Sequence, residues 1–335
     1  MSLADSRLDR RRCLQALALA AVPAWAQQDG SITIRLSHVV ARQTPKGLAL
    51  ERFRDNVARA SGGRIRVQVY PNSLLYGDAD EMQALQLGAV DMLAPSLSKF
   101  GPVGFPEFEL FDLPFLFATA QQVHRITQGA LGRELLAGLS RQGLVGLGYL
   151  DNGFKHMSAN RALLAPQDFI GLRMRIQASR VIAHQMRVLG AHPVVLSFGE
   201  AYRALALDVV DGTENPISNF WTQRMHEVQI DLSLTGHGWL GYAVVANQRF
   251  WRFLASTDRA LVARALDEAL QWGNAIAQRE NDAALAALHA SGATRIHDLS
   301  RAQRQRLQQA LRPVHQGLVQ RIGAAWLQRV QAQLG

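Results

Sequence analysis

The chain has 335 residues, 48% of them hydrophobic and 19% charged, with a formal net charge of +9 at pH 7. That length exceeds one ordinary domain and suits two, and the composition is globular, excluding a repetitive or low-complexity chain. The arginines are dispersed and no run mixes basic with aromatic residues, which argues against a nucleic-acid partner.

The N-terminus reads as a secretory leader over residues 1–26. Arg10, Arg11 and Arg12 precede an apolar run from Cys13 to Val22, and Ala24-Trp25-Ala26 offers small residues for cleavage near Ala26. The run is too short to span a bilayer, which takes roughly 20 apolar residues. An Arg-Arg-x-x-Leu pattern ending at Leu14 is compatible with twin-arginine export as well as the general route. Cys13 is the single cysteine, so cleavage after Ala26 leaves a chain without disulfides or thiolate chemistry. The leader carries four arginines and two aspartates, which leaves +7 on the remainder. No later segment has the pattern of a membrane helix, so a soluble, exported, periplasmic protein is expected.

From Ser31 onward strands and helices alternate. Period-two patterns predict strands at 32–36, 65–69 and 90–93, and helical spacing predicts helices at 47–60 and 78–87. This βαβαβ order predicts an α/β fold with a largely parallel sheet. Lys99 to Phe117 is apolar but aperiodic and reads as irregular packing beneath the edge of a cleft. A helix follows near 120–141, then a strand at 144–150. A second α/β unit has strands at 172–176 and 193–196 and helices at 181–189 and 199–207. Asn215-Pro216 reads as a helix start, with Asn as cap and Pro as first residue. Strands return at 228–234 and 239–246. A helix from 256 to about 290 would span about 50 Å at 1.5 Å per residue, enough to bridge two lobes. A last helix over about 301–333 should be kinked or divided at Pro313. Strand crossings near 150–154 and 236–242 suit a hinge.

Two cations stand on strand-like segments beside polar turns. Arg175 lies between apolar Met174 and Ile176, sharing a face with Arg173. Such an arginine is either paired with an internal acid or reserved for an anion, which its rigid donor fork suits. Lys155 follows the turn-forming Asp151-Asn152-Gly153 and is either a solvated surface charge or a second anion contact, as are Lys99 and Lys46. Asn215 is a helix cap or a ligand-binding amide at a helix start. Phe198 and Trp239 are core aromatics or cleft walls. Asp151, Lys155 and His156 match no nucleophile–base spacing. The histidines, including His38, are scattered without metal-site pairing, and no dinucleotide or phosphate-binding glycine loop is present. No cofactor is expected, and no enzyme activity.

Several fragments carry a family resemblance in their joint order. They are Ser37-His-Val-Val40, Thr44-Pro-Lys-Gly47, Tyr70-Pro-Asn-Ser73 and Ala84-Leu-Gln-Leu-Gly88, then Ala94-Pro-Ser-Leu-Ser-Lys-Phe-Gly101 and Asp151-Asn-Gly-Phe-Lys-His-Met157. Gly171-Leu-Arg-Met-Arg-Ile176, Asp211-Gly-Thr-Glu-Asn-Pro216 and Gly238-Trp-Leu-Gly-Tyr242 complete the set. Over nearly the whole chain beyond the leader, the sequence resembles the solute-binding subunits of TRAP transporters, of the DctP type. The resemblance implies a two-lobed periplasmic-binding-protein-like fold with strand hinges and a long helix crossing both lobes. Lobe I would comprise 27–152 and 241–280, and lobe II 153–240 and 281–335. It implies capture of a small organic acid, a monomer, and a sodium-driven membrane permease as partner. Arg175 matches the family's carboxylate-binding arginine, Asn215 its ligand-binding asparagine and Phe198 an aromatic in the pocket wall. Lys155 replaces a second arginine of the sialic-acid binders, and Gly-Phe-Lys-His-Met looks like the C4-dicarboxylate binders of succinate, fumarate and malate. Lys99, Ser96, His38, Lys46 and Tyr76 match first-lobe positions near the cleft. Other carboxylates (a 2-oxo acid, an aromatic acid), an exported carboxylate-processing enzyme and a basic surface-binding protein are the alternatives.

Overall fold

The alternation of strands and helices closes into a single mixed sheet with helices packed on it. A computed structural model describes residues 30–334; the leader expected at 1–26 lies outside them. From Thr33 onward the chain packs as one compact unit. Its strands are β1 Ile32–Ser37, β2 Ile65–Tyr70, β3 Met92–Leu93, β4 Leu144–Ala159, β5 Arg173–Ile176, β6 His192–Val195, β7 Gly212–Asn215, β8 Asp231–Asn247 and β9 Arg295–Asp298. They form a nine-stranded sheet in the order β2-β1-β3-β8-β4-β7-β5-β6, with β9 on β8.

The sheet is not the largely parallel one expected. β1 pairs with β3, and β5 with β6 and β7, in parallel. Between these groups, β4 and β8 run antiparallel to each other along most of their length. The predicted strands at 228–234 and 239–246 are one strand, and the strand at 144–150 continues to Ala159. The polar and glycine residues that broke the period are absorbed as register shifts at Gly146/Gly148, Asp151/Gly153 and Lys155/Met157. The second shift falls within the stretch expected as a hinge.

The helices are α1 Pro45–Ala60, α2 Glu81–Leu87, α3 Ala120–Thr127, α4 Ala130–Gly138, α5 Arg180–Val188, α6 Ala201–Ala206, α7 Ile217–Thr222, α8 Gln248–Phe253, α9 Ser256–Ser291, α10 Arg301–Ala310, α11 Arg312–Ile322 and α12 Ala324–Leu334. Local chemistry sets their ends. Thr44 caps α1 by accepting from the Gly47 amide, with Pro45 in the first turn, and Ser179 caps α5 through the Ile182 amide. The helical stretch expected at 301–333 is divided beside Pro313, as anticipated, and again at Gly323, whose φ is 82°, giving three helices. Asn215 is not a helix cap. It ends β7, and Pro216 takes the cap position before α7.

The aperiodic stretch after Lys99 forms the 3-10 turn Pro106–Asp112 and an aromatic core. Phe100 stacks on Phe108 at 4.6 Å between centroids, with Phe105 edge-on. α9 is 36 residues long and packs on α1, β4 and α7. The approach to α1 depends on Gly273, where a Cβ would stand 2.6 Å from Ala49 Cβ and 2.9 Å from Leu150 Cδ2. Gly273→Leu should therefore destabilise the fold by about 1–3 kcal/mol through overpacking. Thermal melting checks this, and a melting temperature equal to that of the parent would refute the tight crossing.

Candidate functional site

The strands bring chemistry to one narrow cavity where β4, β5, β7 and β8 meet the loops after β1, β2, β3 and β6. It spans ≈ 400 Å³ of empty space, part of it open to solvent. Its lining includes Arg175, Lys155, Asn215, Phe198, Lys99 and Ser96 from the sequence reading. Asp78, Gln177, Glu214, Asn219 and Tyr242 line it as well, together with Val39, Val40 and Leu240.

Arg175 sits on β5 between β6 and β7, in register with Val194 and Thr213. It is 4% exposed. Its Nε and Nη2 donate to the Leu196 carbonyl at 3.0 and 2.8 Å. The guanidinium lies 5.6 Å from the Phe198 ring centroid, within cation–π range. Among the described residues no carboxylate forms an ion pair with it. Burial lowers its pKa while the fields of Asp78, Glu214 and Glu200 oppose this; a guanidinium nevertheless stays charged. The carbonyl of Leu196 thus fixes the plane of the fork and leaves Nη1 unspent.

The other cations are handled differently, and none of the three lysines is a solvated surface charge. Lys155 donates to Glu214 Oε1 at 2.8 Å, with both side chains buried. Glu214 Oε2 accepts from His237 Nε2 at 2.8 Å, and His237 Nδ1 lies 2.7 Å from Thr235 Oγ1. Burial alone would raise the Glu214 carboxyl, but Lys155 and His237 outweigh it and hold it at about 2. Burial lowers His237, so the ring is neutral and its Nε2–H is the donor. Lys99 is enclosed by Asp78 and Glu81. Lys46 stands outside the lining, behind Tyr242. Its ammonium lies 3.7 Å from that ring's centroid and donates to the Ala94 carbonyl at 2.9 Å. With no carboxylate bonded to it, burial pulls Lys46 down to about 7.

Asn215 donates to Thr213 Oγ1 at 3.2 Å, and Ser96 donates to Gln177 Oε1 at 2.7 Å. Besides Lys46, three sequence-named residues do not line the cavity. His38 is fully buried and is not among the lining residues. Tyr76 packs against the core. Trp239 meets Phe154 edge-on at 5.0 Å; its alternate strand neighbours Leu240 and Tyr242 reach the lining in its place. Among the lining residues that sequence reasoning missed, Gln177 had a signal, since it is two residues beyond Arg175 and shares its face. Glu214 had one too, as an acid in the buried strand Gly-Thr-Glu-Asn opposite a lysine-bearing strand. Asp78, in a polar loop, had none. Among the described residues no group of three or more His, Cys, Asp or Glu is arranged to hold a metal ion.

Residues 36–321 match the DctP family, described as bacterial extracellular solute-binding protein, family 7. This chain belongs to the DctP family. Its members are the solute-binding proteins of TRAP transporters, a non-enzymatic class found in the periplasm, which bind small organic acids and work with a membrane permease. The chain is 48% identical to the C4-dicarboxylate-binding periplasmic protein DctP of Rhodobacter capsulatus over 318 residues, 95% of each chain. It is similar to a succinate-bound TRAP solute-binding protein from Shewanella oneidensis, with TM-score 0.89 and 38% identity over 91% of this chain and 100% of that one. A Pseudomonas aeruginosa protein with bound L-malate matches with TM-score 0.83 and 37% identity over 85% and 99%. The architecture is therefore the two-lobed fold of these DctP-family proteins, drawn around one shared sheet.

The Glu214 pairing has a pH signature. Its folded value of about 2 lies below the unfolded carboxylate value of roughly 4.3. The pairing therefore stabilises fully above that unfolded value and is lost as pH falls toward 2. Glu214→Gln should lower stability by about 3–5 kcal/mol at pH 7, because Lys155 is left buried and unpaired. The gap to the parent should narrow at pH 3. Urea unfolding at both pH values checks this, and an equal gap at the two would show that the carboxylate is not the source.

Proposed function

We propose that this DctP-family protein captures a C4-dicarboxylate such as succinate, fumarate or malate in the periplasm and delivers it unaltered to a TRAP permease. One observation carries the reading. Arg175 is a permanently charged, buried fork that faces the cavity without a carboxylate of its own. One ligand carboxylate would take the Nη1 edge of that fork, with the Asn215 amide beside it. The other would take the N–H groups Lys155 does not give to Glu214, together with the side-chain amides of Gln177 and Asn219, whose oxygens already accept from Ser96 and Asn152. This differs from a clamp of several free lysines. Lys155 contributes hydrogen bonds while Glu214 balances its charge.

The likeness to the Rhodobacter capsulatus dicarboxylate binder and to the succinate- and malate-bound structures supports the choice of solute. In this reading the lobes are residues 27–152 with 241–280, and 153–240 with 281–335, and a monomer exported by a leader cleaved near Ala26 performs the capture. The ligand would touch both lobes and so favour the closed arrangement by its differential affinity for it.

Titration calorimetry with succinate and L-malate tests the clamp. Removing Arg175 leaves a ligand carboxylate buried without its counter-charge, which costs on the order of 3–5 kcal/mol. Arg175→Ala should weaken binding by more than about 100-fold, with Arg175→Lys intermediate because a point charge replaces the fork. Unchanged affinity in Arg175→Ala would exclude the clamp.

A further inference from the structure

β2 and β6 are the outermost strands of the path through the sheet, yet the loops that follow them meet over the cavity. The loop after β2 supplies Asp78, and the loop after β6 supplies Leu196 to Phe198. Asp78 Oδ2 accepts the Phe198 backbone N–H at 2.6 Å, across 120 residues of sequence. Its other oxygen pairs with Lys99, which is also held by Glu81. The receiving loop is fixed at two points, because Arg175 donates to the carbonyl of Leu196, two residues before the amide that Asp78 holds. Ser96 with Gln177, and Asp112 between Ser98 and Ser179, also join these two sides of the cavity. Asp112 is 2% exposed, whereas the Asp78 side chain keeps 16% of its surface in solvent.

We propose that Asp78 is a latch. Its carboxylate joins the two sheet-edge loops over the site and sets how long a captured acid is retained. The bond exists only when the loops are together, so its free energy is added selectively to the closed arrangement. A charged acceptor suits this task, since hydrogen bonds to ionised groups are the stronger ones. Burial alone would raise the Asp78 carboxyl. Lys99 and the Phe198 amide outweigh that and hold it below the usual range, so the latch is ionised at neutral pH. Lys99 keeps Glu81 as a partner if Asp78 is removed, so the side chain can be deleted without stranding a buried cation. Asp78 does not need to touch the solute. Its removal should act on dissociation rather than on encounter.

Two measurements test this. The first needs no solute. Leu74 and Val195 are 71% and 57% exposed and flank the two loops. Spin labels at Leu74→Cys and Val195→Cys, in a Cys13→Ser background, report the distance between the edges by pulsed electron resonance. Asp78→Ala should shift the solute-free distribution to longer distances. Asp78→Asn keeps an amide oxygen for the Phe198 N–H and should stay nearer the parent. The second measurement is stopped-flow release of succinate and rests on the capture reading above. Asp78→Ala should release it about 10- to 100-fold faster, the range expected for one hydrogen bond to a charged group, with a nearly unchanged association rate. Parent-like distances in Asp78→Ala would overturn the latch, whatever happens to melting temperature or affinity. An Asn variant as open as the Ala variant would overturn the assignment to the Phe198 bond. Failure of the parent to bind succinate would count against the capture reading alone, because the distance measurement would still decide the latch.

Discussion

The cost of removing charge from water organises this protein. Four cations stand in or directly behind one narrow cavity, and each is compensated by a different means. Lys99 has two carboxylates, and Lys155 has one that is itself steadied by a neutral histidine. Lys46 has a carbonyl and an aromatic face, and it can shed its proton near neutrality. Arg175 has only a backbone carbonyl and a ring face, and a guanidinium cannot be neutralised by deprotonation. Desolvation therefore leaves it as the site's demand for an anion. The surrounding ion pairs supply hydrogen bonds and shape without adding net positive charge.

Fold and site meet in the two long strands at the middle of the sheet. β4 brings Lys155 to the cavity, while Phe154 and His156, one residue to either side, line a groove of their own. β7 lies against β4 and sets Glu214 within reach of Lys155. β8 brings His237 to the same carboxylate and Tyr242 to the cavity wall. The charge pairing and the ladder pairing thus reinforce one another. A strand displaced from its register would lose both.

Much of this was legible in the residues. The strands and helices that flank Arg175, the long helix after Ser256 and the irregular aromatic stretch after Lys99 all follow from periodicity and capping chemistry. The continuity of β4 and β8 was hidden because glycine and polar residues at their bulges look like turns until a partner strand holds them extended. Asn215 followed the statistics of helix caps, but the ladder with β4 carries the strand through it and hands the cap to Pro216. Sequence reasoning reached the cavity where one residue type dictates one chemistry, as for Arg175. It fell short where the outcome depends on a distant partner. Nothing local to Lys155 or Lys99 announces Glu214 or Asp78, and nothing local to Tyr76 or Trp239 says which way the pleat turns them.

The pleat also constrains how such a protein can diversify. Successive residues of an extended strand face opposite ways, so inserting or deleting a single residue within β4 would exchange the two faces beyond that point and carry Lys155 out of the cavity. A bulge can absorb one extra residue, but the three irregularities in β4 are already committed to its pairing with β8. New solute preferences are then reached by exchanging side chains at fixed positions, while length variation is confined to the loops at the sheet's ends. The parity of the strand, more than the identity of any one residue, is the inheritance that descendants of this chain must keep.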